Sequence, residues 1–421
     1  MFMKQKSAEI LAIGTELLMG NTVNTNAAYI ARGLAQNGIN VFHQEVVGDN
    51  PKRLLESLQQ AFSRSDIVIT TGGLGPTYDD LSKETIASFF GRQLVLDEES
   101  LHVIENRFRE LGREMSDNNR KQAMMPENCT IFPNPNGTAP GCAIEQDGKV
   151  AFMLPGPPRE MKPMFENYVI PYLLKDSDTI LASRMIHLFG IGESMLEHKL
   201  HDLMVTSTNP TLAPYAKSGE VMLRVTARVG REEDPEPILQ PMIEKVQEAA
   251  GEFIYGIDIG DLQTAVVQRL REKGLHVATA ESCTGGYISK RITEVDGASA
   301  VFDCGICSYA NAIKEQLLGV SHETLETYGA VSEQCAKEMA AGIRRVSGAE
   351  IGIATTGIAG PGGGSPEKPV GLVYVAVDSD QYKEVLKLQI PARSDDAREY
   401  IRYIASSHAL HLVWKTAGLA D

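Results

Sequence analysis

Short apolar runs alternate with helically spaced segments through the first third of the chain. Glu9 to Ile13 and Ile67 to Thr71 read as strands, the second ended by Gly72-Gly73-Leu74-Gly75-Pro76. Between them Ala27, Ile30, Ala31 and Leu34 recur at helical spacing, which predicts a helix over Asn26 to Asn37 stopping at Gly38. Val41 to Val47 reads as a further strand and Pro51 to Ser63 as a second helix. This alternation predicts a parallel, doubly wound α/β sheet. Ligands in such sheets bind beyond the carboxyl ends of the strands, where the loops Gly14-Thr15-Glu16 and Gly72 to Asp80 lie.

Leu154-Pro155-Gly156-Pro157-Pro158 punctuates the chain before a short helix at Met161 to Tyr168. The pattern then changes. Strands near Ser183 to Phe189 and Val221 to Val229, a helix near Glu193 to Leu203 and another at Pro241 to Ala250 predict a small α+β domain, with Tyr255 to Asp261 as linker. From Leu262 a third α/β unit begins: helix to Lys273, strand at His276 to Ala278, helix from Tyr287, strands at Val301 to Ser308, Ile351 to Thr356 and Val370 to Val377, and a last helix from Asp396. The expected organisation is two three-layer α/β domains, 1–170 and 256–421, joined by an α+β domain at 171–255.

Composition narrows the function classes. Of 421 residues, 43% are hydrophobic and 23% charged, as in an ordinary globular protein. A net charge of −15 argues against a general nucleic-acid binder, and 6% aromatic content argues against a base-stacking platform. No apolar run approaches the roughly 20 residues that span a bilayer. The segment Met1 to Ser7 is too short and polar for a signal peptide. Cys304 and Cys307 form a lone CxxC without a second pair or nearby histidines, so the six cysteines read as reduced thiols of a cytoplasmic protein.

The chemistry concentrates at Ala280-Glu281-Ser282-Cys283-Thr284-Gly285-Gly286, a strand-to-helix corner. A serine there stands beside backbone N–H groups that a helix start leaves unpaired, so it combines a nucleophile with an oxyanion site; such corners are also ordinary helix caps. Tyr309, Asn311 and Lys314 open a helix at another strand end, where a desolvated lysine can act as base toward a serine hydroxyl. An exposed helix-start lysine and a core tyrosine are the alternative. Thr356-Gly357-Ile358-Ala359-Gly360-Pro361-Gly362-Gly363-Gly364 is dense enough in glycine to bring backbone against a phosphate, yet matches no nucleotide-binding fingerprint. Near the N-terminus, Glu16, Asn26, Gly72, Gly73, Gly75, Thr77, Asp79 and Asp80 form a second constellation. The paired aspartates suit a hard divalent cation or, equally, cap the helix beginning near Leu81.

Three C-terminal segments, Ala280 to Gly286, Tyr309/Asn311/Lys314 with Leu318-Gly319-Val320, and Thr356 to Gly364 with Lys368-Pro369-Val370-Gly371, occur in an order that resembles the C-terminal domain of the competence/damage-inducible protein A (CinA) family. The resemblance spans about 160 residues and implies hydrolysis of nicotinamide mononucleotide (NMN) to nicotinate mononucleotide and ammonia without a metal. It casts Ser282 as nucleophile and Lys314, helped by Tyr309, as base. Thr284, Gly285, Gly286, Asn311, Thr356, Gly357, Gly360, Gly362, Gly363 and Arg398 would contact substrate. Cys283 reads as packing.

The N-terminal segments, with Asn136 to Gly141 and Leu154 to Met161, resemble the MoaB/MogA-like molybdopterin-binding domain fused at the front of CinA, except that Ser82 replaces the usual threonine. That resemblance implies a metal-dependent (Mg, Mn or Co) ADP-ribose pyrophosphatase, with Glu16, Asp79 and Asp80 at the metal and the glycine loop, Thr77 and Asn26 at the substrate. Molybdopterin or nucleotide binding in a regulatory protein without N-terminal catalysis is the alternative. Both proposed substrates are breakdown products of NAD. A homodimer, with no membrane or direct nucleic-acid partner, completes the expectation.

Overall fold

Strand β1 (Ser7–Ile13) has residues buried on both faces, as a strand covered by helices on either side must. Ala8 and Ile10 join one core with Ile30, Leu34 and Phe165, whereas Leu11 and Ile13 join another with Leu54, Leu58 and Phe62. In this computed structural model, residues 7–110, 112–175, 178–217, 219–392 and 396–419 are described. The polar segment 1–6, read above as no signal peptide, lies outside them.

β1 pairs in parallel with β2 (Asn40–Val47) and β3 (Ile67–Thr71). β4 (Leu94–Leu96) and β5 (Met124–Pro126) form a separate antiparallel pair. With β6 (Thr130–Phe132), β7 (Gly141–Gln146) and β8 (Lys149–Leu154), the main sheet has the order β2-β1-β3-β8-β7-β6. The expected all-parallel sheet is therefore mixed. β7 runs antiparallel to β8 because only Asp147 (φ 52°) and Gly148 (φ 76°) connect them, a left-handed pair suited to a tight hairpin and too short for a crossover.

The middle sheet is ordered β10-β11-β9-β12, from β9 (Thr179–Phe189), β10 (Thr211–Lys217), β11 (Glu220–Gly230) and β12 (Ile254–Ile257). β12 corrects the linker reading of Tyr255 to Asp261. It pairs antiparallel with β9, and buried Tyr255 donates its hydroxyl to Glu220 at 2.7 Å. By internal contacts the chain forms two compact units, one reaching Ala182 and including Ala227–Pro235, the other comprising Ser183–Thr226 and the chain from Glu236.

The C-terminal sheet has the order β14-β13-β15-β16-β17, from β13 (Val277–Glu281), β14 (Phe302–Cys307), β15 (Ile351–Gly357), β16 (Leu372–Asp378) and β17 (Lys383–Gln389). β13 pairs in parallel with β14 and β15, and the last two strands run antiparallel. Ile353 and Val375 face the helices Leu262–Lys273 and Ala397–Gly418 in one core, shared with Phe189 and Tyr255. Ala278 and Ala354 face the helix Glu333–Ser347 in another. Cys304 and Cys307 lie three apart on β14 and so point to opposite faces, which removes the CxxC as a paired site.

Candidate active site

Ser282 follows the last residue of β13, and its N–H donates to the Thr355 carbonyl at 3.0 Å, a tie to the neighbouring strand. On the opposite side of β13 from β15, the chain leaves β14 through Ser308 and Tyr309 and enters the helix Asn311–Leu318, which carries Lys314. Lys314 is buried, with Nζ 3.1 Å from Ser282 Oγ, 2.6 Å from the Ser308 carbonyl and 3.2 Å from the Tyr309 carbonyl. Among the described residues no carboxylate forms an ion pair with it, and burial pulls its pKa below the ordinary lysine range.

The other predicted residues fall into two groups. Tyr309 is 65% exposed, and its hydroxyl accepts from Arg398 at 3.2 Å rather than reaching Lys314. Its carbonyl, not its phenol, meets the lysine. Arg398 also donates to the Gly360 carbonyl at 2.5 Å, latching the glycine loop. Buried Thr284 and Thr356 spend their hydroxyls internally, on Thr355 at 2.7 Å and on the Ala330 carbonyl at 2.6 Å. Gly357 packs on Leu372 and Val373, whereas Asn311 is exposed at its helix start and Gly362 opens onto empty space. Cys283 is a buried packing residue whose thiol burial pushes up to about 12.

Glu281 was not among the candidates. Fully buried, its carboxylate accepts from the N–H groups of Gly286 (3.0 Å), Ile288 (3.0 Å) and Ser289 (2.9 Å) and from the Ser289 hydroxyl (2.7 Å). Three of the N–H groups at the start of the helix Tyr287–Thr293 are therefore already committed to Glu281. Arg402 was missed as well; it donates twice to the Thr284 carbonyl, at 2.7 and 3.2 Å. The polar position at the end of β13 was the available signal for Glu281, and no local signal marks Arg402.

In the N-terminal unit a cavity of about 400 Å³ is lined by Glu16, Gly72, Gly73, Gly75, Thr77, Asp79 and Asp80, joined by Asp49 and Glu160. The aspartates do not cap the helix Ser82–Phe89: Asp79 accepts from the Thr77 hydroxyl at 2.5 Å and Asp80 from the Thr77 N–H at 2.9 Å. The Thr77 bond holds the Asp79 carboxyl below its usual range. A Cβ on Gly73 would lie 2.0 Å from Ser82 Oγ, which itself donates to the Gly72 carbonyl at 3.0 Å. Asn26 is not in the lining; it ties Thr71 Oγ1 (2.9 Å) to the Gly156 carbonyl (2.7 Å) beneath the loops. Among the described residues no three His, Cys, Asp or Glu side chains converge as a metal cage.

Fold and site together define an α/β protein with a MoaB-like front domain and a C-terminal domain compatible with an amidohydrolase. Family models match over residues 9–175 (Probable molybdopterin binding domain), 183–256 (Damage-inducible protein CinA KH domain) and 260–417 (CinA C-terminal domain). A CinA-like protein of Dictyoglomus thermophilum is 51% identical over 369 residues, 88% of this chain and 90% of that protein. One from Kosmotoga olearia is 48% identical over 406 residues, 96% of this chain and 98% of its own. The chain belongs to the CinA family of competence/damage-inducible proteins. The crystal structure of competence/damage inducible protein CihA from Agrobacterium tumefaciens, 42% identical, covers 37% of this chain and 93% of its own with a TM-score of 0.35. Among the described residues no helix is long and apolar enough to cross a membrane.

Proposed function

We propose that the C-terminal domain hydrolyses the carboxamide of NMN by a serine–lysine mechanism. The observation that carries this reading is how Lys314 uses its nitrogen. Two of its directions end on carbonyl oxygens, which only accept, so both carry N–H. The third meets Ser282 Oγ, and in the neutral amine it is a lone pair to which the hydroxyl donates. Ser282 Oγ attacks the amide carbon as its proton passes to Lys314. Collapse of the tetrahedral adduct breaks the C–N bond, and Lys314 returns the proton to the departing ammonia. Water then attacks the acyl-serine through the same base, restoring the hydroxyl and releasing nicotinate mononucleotide. Ammonia release from NMN by wild type, Ser282→Ala and Lys314→Ala, with and without chelator, tests this. Turnover that both variants abolish and chelator leaves unchanged is expected; a folded wild type without turnover refutes the reading.

We further propose that the N-terminal cavity takes ADP-ribose with a divalent cation. An anionic diphosphate entering among Glu16, Asp49, Asp79, Asp80 and Glu160 meets like charge unless a cation accompanies it. Carboxylate oxygens are what a hard cation takes, and magnesium commonly uses only one or two, with water and substrate phosphates completing its shell. One or two carboxylates among Glu16, Asp79 and Asp80 would hold it, and its charge would neutralise the diphosphate. Gly72 to Gly75 would face the phosphates. AMP release with Mg, Mn or Co, lost in Asp80→Asn, is expected. Tight binding of ADP-ribose without release favours the regulatory, non-catalytic reading instead.

A further inference from the structure

The acyl-transfer reading needs a donor for the oxyanion, and the corner that holds Ser282 has few left. Ser282 N–H is committed to Thr355. Glu281 takes Gly286, Ile288 and Ser289. Among the described residues, the N–H groups of Cys283, Thr284, Gly285 and Tyr287 are left without a hydrogen-bond acceptor. Gly285 is three residues beyond the serine, the spacing at which a serine oxygen and a backbone N–H share one site at a helix start. It is left-handed (φ 60°), which glycine adopts without strain.

The orientation of the Thr284–Gly285 peptide is set from outside the loop. Arg402, on the helix Ala397–Gly418, donates Nε and Nη2 to the Thr284 carbonyl, and Glu399 at 2.9 Å and the Tyr287 ring at 5.3 Å hold the guanidinium. A trans peptide is planar, with its N–H opposite its C=O. Fastening the carbonyl to Arg402 therefore turns Gly285 N–H to the other side. We propose that Gly285 N–H is an oxyanion donor and that Arg402 is the positioning residue that aims it. This rests on the serine–lysine amidase reading.

Arg402→Ala and Arg402→Lys are compared with wild type for NMN turnover, and for acylation of Ser282 by p-nitrophenyl acetate followed by intact-protein mass. Losing one oxyanion donor lowers kcat by about 10²-fold. We expect a fall of that order for Arg402→Ala, with KM within about twofold, partial recovery in Arg402→Lys and restoration by added guanidinium. A matched fall in the ester acylation rate is expected. Equal kcat in the variants, or a loss confined to KM, overturns the proposal. If wild type acylates Ser282 but ignores NMN, the substrate assignment fails and the ester rates alone decide for Arg402. A wild type that acylates no faster than Ser282→Ala overturns both.

Discussion

Lys314 sits where two carbonyl oxygens and the Ser282 hydroxyl converge, and among the described residues no carboxylate pairs with it, so its titration should be visible in the rate. In the proposed mechanism the neutral amine is the active form, and burial lowers its pKa. NMN turnover should therefore rise with pH through a value below the ordinary lysine range and then level off. Lys314→Arg, which stays charged at every accessible pH, should be at least about 10³-fold slower throughout, with no such inflection. Gly72 offers a structural counterpart. Its φ is 108°, and a Cβ would lie 2.1 Å from the Ile13 carbonyl. Gly72→Ala should destabilise the N-terminal unit by about 2 kcal/mol or more, read by urea unfolding. Both positions were legible in the sequence, since a serine and a lysine at neighbouring strand ends, or two glycines after a strand, carry their geometry with them. Glu281 was not. A glutamate at a strand end reads as solvated until the helix N–H groups that surround it are seen.

The elements that support these residues were legible in proportion to their local pattern. Leu262–Lys273 begins where Asp261 accepts from Thr264 N–H at 2.9 Å and stops at left-handed Gly274, and both signals are local. β12 escapes a pattern reading because its four residues, Gly256 among them, show little periodicity; its strand character comes from pairing with β9. The helix Ser82–Phe89 hides a different feature, a buried lysine. Lys83 donates to the Gln122 carbonyl at 2.7 Å, and burial lowers its pKa to about 8. Below pH 8 both folded and unfolded chains carry this proton. Between 8 and the unfolded lysine value only the unfolded chain does, so stability rises with pH in that window, by up to about 3 kcal/mol. Lys83→Met should abolish the rise, measured as the urea midpoint at pH 7.5 and 9.5 against wild type.

At the scale of the whole molecule, the helix Ala397–Gly418 serves the second unit twice. Arg398 and Arg402 hold the two loops of the serine site, while His408 and His411 pack on Phe189 of β9, with ring centroids 5.0 and 4.6 Å away. Burial lowers both imidazoles, His411 to about 4. Below the unfolded histidine value near 6.5 the unfolded chain takes a proton that folded His411 refuses, so stability falls as pH drops from 6.5 toward 4, by up to about 3 kcal/mol. His411→Phe should flatten that acid limb in urea titrations at pH 7 and 5. Sequence pattern predicted this helix but not its partners, because contacts between residues more than a hundred apart leave no periodicity.

The reach of Arg402 across 118 residues to the Thr284 carbonyl also has a meaning in time. A chain emerging from the ribosome presents Ser282 first, then Lys314, and only much later the arginine that fastens the loop after the serine. The serine corner is thus translated long before it is held. During that interval the nascent protein has the serine and lysine of the proposed hydrolysis without the arginine that fastens their loop, so on that reading its activity would date from the docking of this helix.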